Sequence, residues 1–116
     1  MPTMSIYEST FAKSDKTDAT LVVDGKKLHV NKALLSSHSD YFNTLFNGEF
    51  KEKSMTEIQI EDVDFEDFAL VLCIVTNTFI EIERRKIEPL LKLADRFLLP
   101  KAKRTLEMLK IVQFDG

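Results

Sequence analysis

Ser36, Ser37, His38 and Ser39 set three hydroxyls beside an imidazole, the residue types from which a nucleophile and its general base are built. Their spacing argues against that chemistry. Side chains one or two positions apart on a short helix do not face each other, and no acidic residue is placed to orient the ring. His29 and His38 are the only histidines, and the single cysteine, Cys73, is distant in sequence from both. A zinc centre needs three or four nitrogen, sulfur or oxygen ligands at recognisable spacing, so no metal is expected. Gly25, Gly48 and Gly116 are the only glycines, which leaves no phosphate-cradling loop. The residues therefore predict no catalytic centre, no cofactor and no small-molecule substrate. A hydrolase built on Ser36 or Ser39 is the discarded alternative.

The composition narrows the remaining classes. A chain of 116 residues, 44% hydrophobic and 30% charged, is long enough for one domain around one core and too apolar to stay disordered. The net charge is −3 and both signs are mixed along the chain. The one basic run, Arg84-Arg85-Lys86, is short and follows Glu81 and Glu83, so no nucleic-acid face is expected. Cys73 lies in the apolar run Phe68 to Val75 and can form no intramolecular disulfide; a reducing, intracellular compartment, cytoplasm or nucleus, is the expectation. That run has eight residues, against the ~20 a membrane-spanning helix requires. The opening residues carry neither the basic nor the apolar segment of a signal peptide.

The elements that must position these side chains follow from pattern. Thr20 to Val23 and Lys27 to Val30 are β-rich and flank Asp24-Gly25, a strong hairpin signal. Asn31 can cap a short helix containing Lys32 to Ser36, and a second short helix is predicted over Asp40 to Phe46, closed by Gly48. Glu57 to Ile60 alternates polar and apolar as a third strand. Asp64 starts an amphipathic helix with Phe65, Phe68, Ala69 and Leu72 on one side. A further helix is predicted over 87–99, with Ile87, Leu90, Leu91, Ala94, Phe97 and Leu98 on one stripe and Pro89 in the first turn. Pro100 opens a last helix to about Val112, burying Ala102, Leu106 and Leu109. The reading is α+β: a small three-stranded sheet with a cluster of about five to six helices on one side. Residues 1–17 read as an arm whose Ile6, Tyr7 and Phe11 need something to pack on, and residues 113–116 as a tail.

In this order, several segments resemble the BTB/POZ fold. Asp18 before the strand Thr20 to Val23 resembles the family opening of Asp and an apolar run. His29-Val30-Asn31-Lys32-Ala33-Leu34-Leu35 is similar to its "H-x-H-(K/R)-x-x-L", with Asn31 in place of the second His. Ser39-Asp40-Tyr41-Phe42 and Phe46 resemble "S-x-x-F-x-x-x-F", and Leu91 to Phe97 resembles "L-L-x-L-A-D-x-(F/Y)". Lys32 to Ser36 and Asp95 to Pro100 are most similar to the BTB half of nematode MATH–BTB proteins. Ile74 to Thr78 departs from the family's usual Tyr-Thr-Gly or Tyr-Pro, which leaves the loop geometry near Thr76 open.

The resemblance implies a domain over residues 18–112 that works by binding other proteins. It implies a homodimer formed through Ile6, Tyr7, Phe11, Leu34 and Leu35, with Asp18 and Lys32 in a charged pocket near that interface. It also implies that Phe50-Lys51-Glu52, an apolar-x-Glu triplet, grips cullin-3, making the domain an adaptor in a ubiquitin ligase complex. The alternative is a dimerisation domain of a scaffold or transcription regulator that does not bind cullin.

Overall fold

The computed structural model describes residues 6–47, 57–78 and 81–114. A five-residue helix α1 (Ile6–Thr10) leads into the hairpin β1 (Ala19–Val23) and β2 (Lys26–Val30), then α2 (Lys32–His38) and α3 (Asp40–Asn47). After β3 (Glu57–Ile60) come α4 (Phe65–Val75), a 3-10 turn (Arg84–Lys86), α5 (Ile87–Arg96) and α6 (Pro100–Phe114). This is the expected α+β layout of a three-stranded sheet with helices clustered against it.

The sheet runs β2-β1-β3. Asp24 and Gly25 both take positive φ, 53° and 78°, as the two-residue turn joining right-twisted strands requires. β1 pairs antiparallel with β2, Leu21 facing Leu28, and parallel with β3, Leu21 facing Ile58. Leu21, Val23, Leu28, Val30, Ile58 and Ile60 fill the inner face. On the outer face Lys27 lies opposite Val22, and Glu57 opposite Thr20. Their ion pair, 2.9 Å long, therefore crosses the central strand. Both charged groups are exposed, so the pair itself contributes under about 1 kcal/mol. Its effect is to shelter Val22 and Thr20, both buried on a side that would otherwise face water.

α4 is the axis of the helical cluster. Asp64 caps it, its Oδ2 accepting from the Asp67 amide at 3.1 Å. The sequence predicts one apolar stripe, but every residue from Phe68 to Val75 is buried. α1, α5 and α6 all pack on it, and a helix that is apolar all round is one covered on all sides. At its end the Thr78 amide donates to the Cys73 carbonyl at 2.9 Å and the Asn77 amide to Ile74 at 3.3 Å, with Asn77 at φ 61°. That is a Schellman cap, with Asn in the left-handed position usually held by Gly. It supplies the loop geometry near Thr76 that the sequence left open.

The end of α5 overturns one expectation. The predicted stripe carried Leu98 and ran the helix to Leu99, whereas α5 stops at Arg96 and Leu98 is 51% exposed. A second Schellman cap explains the switch: the Leu99 amide donates to Ala94 at 2.8 Å and the Leu98 amide to Asp95 at 3.3 Å. Leu98 takes φ 51°, which swings its side chain outward and drops Leu99 into the core. Phe97 stays buried, stacked on Phe42 at 5.9 Å and edge-on to Phe68 at 5.1 Å. Pro100 then opens α6, as expected, with Ala102 and Leu106 buried and Leu109 half-buried. Met108, Ile111 and Val112 on the same helix are exposed.

A leucine in the left-handed region costs about 1–2 kcal/mol, while glycine there costs about 0.5–1 kcal/mol through the unfolded chain. Leu98→Gly is therefore expected to raise the unfolding free energy by about 0.5 kcal/mol in urea titrations. A loss of stability on that substitution would show that the exposed leucine side chain outweighs its backbone strain.

Candidate functional site

Of the side chains that first suggested catalysis, Ser37 and Ser39 are taken up by hydrogen bonds to the main chain. Ser39 is buried; its Oγ donates to the Phe97 carbonyl at 2.6 Å and accepts from the Phe42 amide at 3.1 Å. Ser37 Oγ donates to the Leu34 carbonyl at 2.8 Å. His29 Nδ1 meets the Thr20 hydroxyl at 3.0 Å rather than a carboxylate. Burial pushes the Cys73 thiol up to about 11, so it is a neutral thiol at physiological pH and a poor nucleophile. Among the described residues no group of His, Cys, Asp and Glu could hold a metal, and no helix is long and apolar enough to cross a membrane. What these residues build is a shape.

That shape is organised around the start of α2. Asn31 is its N-cap, Oδ1 accepting from the Leu34 amide at 2.8 Å. The Asn31 amide group also donates to the Lys16 carbonyl at 2.8 Å, tying the arm's loop to the helix. Asp18 Oδ1 accepts from the Lys32 backbone amide at 2.7 Å, satisfying a second orphan donor of the same helix. Asp18 and Lys32, expected together in a charged pocket, thus meet through the Asp18 carboxylate and the Lys32 main chain. Sequence reading foresaw the cap by Asn31 but not the contribution of Asp18, because nothing local marks a cap supplied from before a hairpin.

The arm lies along the same edge. α1 packs on β2 and α4, and the Phe11 carbonyl accepts from the His29 amide at 2.8 Å. Of the residues expected at a dimer interface, Phe11 and Leu35 are buried inside this chain, Tyr7 is half-buried and Leu34 is 37% exposed. The Tyr7 ring meets Phe65 edge-on at 6.5 Å. Leu34 stands at the rim of an apolar groove of about 320 Å³ whose walls include Phe11, Val30, Leu35, Leu72 and Thr76. The Ile6 side chain and the triplet Phe50, Lys51 and Glu52 lie outside the described residues.

Losing a cap acceptor costs about 0.5–2 kcal/mol. Asp18→Ala is expected to destabilise the domain by about 1 kcal/mol, while Lys32→Ala stays within about 0.5 kcal/mol because its amide remains. Equal losses from both, with the double variant losing no more than either alone, would mean that the two side chains act as an ion pair instead.

Comparison with known proteins agrees with this architecture. Residues 7–113 match the BTB/POZ domain family. The chain is 38% identical over 89 residues to BTB and MATH domain-containing protein 36 of Caenorhabditis elegans, covering 77% of this chain and 28% of that protein. It is 29% identical over 108 residues to an Arabidopsis thaliana protein named "ARM repeat protein interacting with ABF2", covering 91% of this chain and 15% of that one. The chain thus spans less than a third of the length of these curated relatives. The BTB domain of human gigaxonin superposes with a TM-score of 0.69 at 21% identity, over 94% of this chain and 97% of that one. With hairpin, paired short helices, parallel third strand and helical cluster all present, the chain belongs to the BTB/POZ family, whose domains are protein–protein interaction modules.

Proposed function

We propose that this domain pairs with a second copy of itself and acts as an adaptor that brings cullin-3 to substrates in a ubiquitin ligase complex. The observation that carries the reading is the triplet Phe50-Lys51-Glu52, placed between the end of α3 at Asn47 and the start of β3 at Glu57. The nematode relative that combines BTB and MATH domains fits the same role. The domain itself would do no chemistry. It would raise the concentration of substrate near a ubiquitin-charged enzyme, and pairing would add avidity. Choice of substrate would belong to another domain.

Self-association is supported by the exposed Leu34 at the rim of an apolar groove, beside the half-buried Tyr7. A two-fold pair presents the same patch from both copies, so Leu34 would face the partner's equivalent surface. A second reading keeps the pairing and drops the cullin, as in a scaffold or transcription regulator. The plant relative, named for its interaction with ABF2, is consistent with a protein-binding role of either kind.

Phe11 and Leu35 are poor probes of the pairing because both belong to the protomer's own core. Leu34→Asp is the clean one: sedimentation is expected to show a dimer for the native domain and a monomer for this variant, with unchanged circular dichroism. A native domain that sediments only as a monomer ends the pairing. For the adaptor role, calorimetry against the N-terminal region of cullin-3 is expected to give binding at tens of micromolar or better. Phe50→Ala should weaken it by about 2 kcal/mol, the usual loss at a buried aromatic anchor. Binding indifferent to Phe50 would leave the triplet without a role, and a dimer without cullin affinity would favour the second reading.

A further inference from the structure

Leu98 sits in a conformation that its own side chain disfavours. The left-handed position of a Schellman cap is usually held by glycine or asparagine, and α4 follows that habit with Asn77 at φ 61°. α5 places a leucine there at φ 51°, with its side chain exposed. The cap does not require that side chain, because the apolar group such a cap returns to the core is the next residue, Leu99, which is buried. Burial does not offset the strain at Leu98 either. A strained backbone carrying an exposed apolar group is an outlier from which a role in binding can be inferred.

Leu98 borders a groove of about 360 Å³ between the start of α3 and the α5–α6 corner. Ala94, Leu99 and Pro100 give it an apolar lining. Its two sides are fixed relative to each other by the Ser39 hydroxyl on the Phe97 carbonyl, a bond of 2.6 Å. Charge in the walls is lopsided. The only lysine or arginine among the lining residues, Lys103, is held by Asp95 at 3.0 Å. The Asp40 carboxylate has no ion pair or hydrogen bond among the described residues. An apolar lining beside an unmatched carboxylate is complementary to an apolar side chain with a cation next to it. An occupant that fills the groove and also covers Leu98 must be extended, as a peptide segment is.

We propose that this groove docks a peptide segment of a partner protein, one that carries an apolar side chain beside a lysine or arginine. The apolar group packs on Leu98 and into the groove, and the cation reaches Asp40. The same carboxylate turns away acidic segments and phosphate backbones. Leucine is kept at the left-handed position, on this account, for what it touches in the partner and at some cost to the stability of the free domain. The groove shares no lining residue with the one beside Leu34, so the proposal depends neither on pairing nor on cullin.

The test pans a phage-displayed library of random short peptides against the whole native chain, after phage that bind the Leu98→Gly variant have been removed. Enriched peptides are then measured by fluorescence polarisation. They are expected to pair an apolar residue with a lysine or arginine and to bind less tightly as salt rises. Leu98→Gly should weaken them at least about tenfold, the usual effect of losing an interface anchor, while the variant sediments as the native chain does. Asp40→Asn should weaken them severalfold and remove most of the salt dependence. Three results would overturn the proposal. One is a selection that enriches no peptide. Another is a set of peptides that lack basic residues or bind Asp40→Asn as tightly as the native chain. The third is a Leu98→Gly chain whose self-association differs from the native, which would make a second copy the occupant.

Discussion

The fold closes on one clasp between residues fifty-eight positions apart: the Ser39 hydroxyl donating to the Phe97 carbonyl. The carbonyl lies just past the last turn of α5, where the helix's own ladder has run out. The hydroxyl sits just before α3, where it also takes up an orphan amide. One buried oxygen thus terminates one helix and begins another, and either group left unpaired would cost about 1–3 kcal/mol. Around it the rings of Phe42, Phe97, Phe68 and Tyr41 interlock in stacked and edge-on pairs. Each such pair contributes about 0.5–1.5 kcal/mol beyond its buried area. The α2–α3 corner and the α5–α6 corner are therefore fixed relative to each other.

Because the core is closed within one chain, what remains available for other molecules is its outline. α2 is held at its start by Asp18 and Asn31, groups supplied from either side of the hairpin, so the exposed Leu34 is presented on a rigid support. The arm joins the same edge through the buried Phe11 ring, the His29 amide on the Phe11 carbonyl and the Asn31 amide group on the Lys16 carbonyl.

Much of this was legible in the sequence wherever a local rule carries the information. Asp24-Gly25 encodes its turn, Asp64 and Asn31 encode their caps, and Pro100 encodes the start of α6. Periodicity failed at Leu98 and Leu99, because a helix pattern extrapolates through a Schellman cap when no glycine marks the left-handed position. Asn77 hid the matching cap of α4 in the same way. The Asp18 cap was invisible for a different reason: donor and acceptor meet only after the hairpin has folded. The apolar groove beside Leu34 was not legible either, since its walls come from the arm, β2, α2 and α4 together.

The strand order also dictates a timetable. β1 meets β2 across a two-residue turn, a closure that takes microseconds, but it meets β3 only in register Val23 to Ile60, after α2 and α3 have been made. The entropy of closing that longer loop is spent before any parallel hydrogen bond repays it. On a ribosome the hairpin therefore emerges with one flank of its middle strand unpaired, and stays so until Glu57 to Ile60 leaves the exit tunnel. During that interval the inner-face side chains Leu21, Val23, Leu28 and Val30 lack the cover that Ile58 and Ile60 bring.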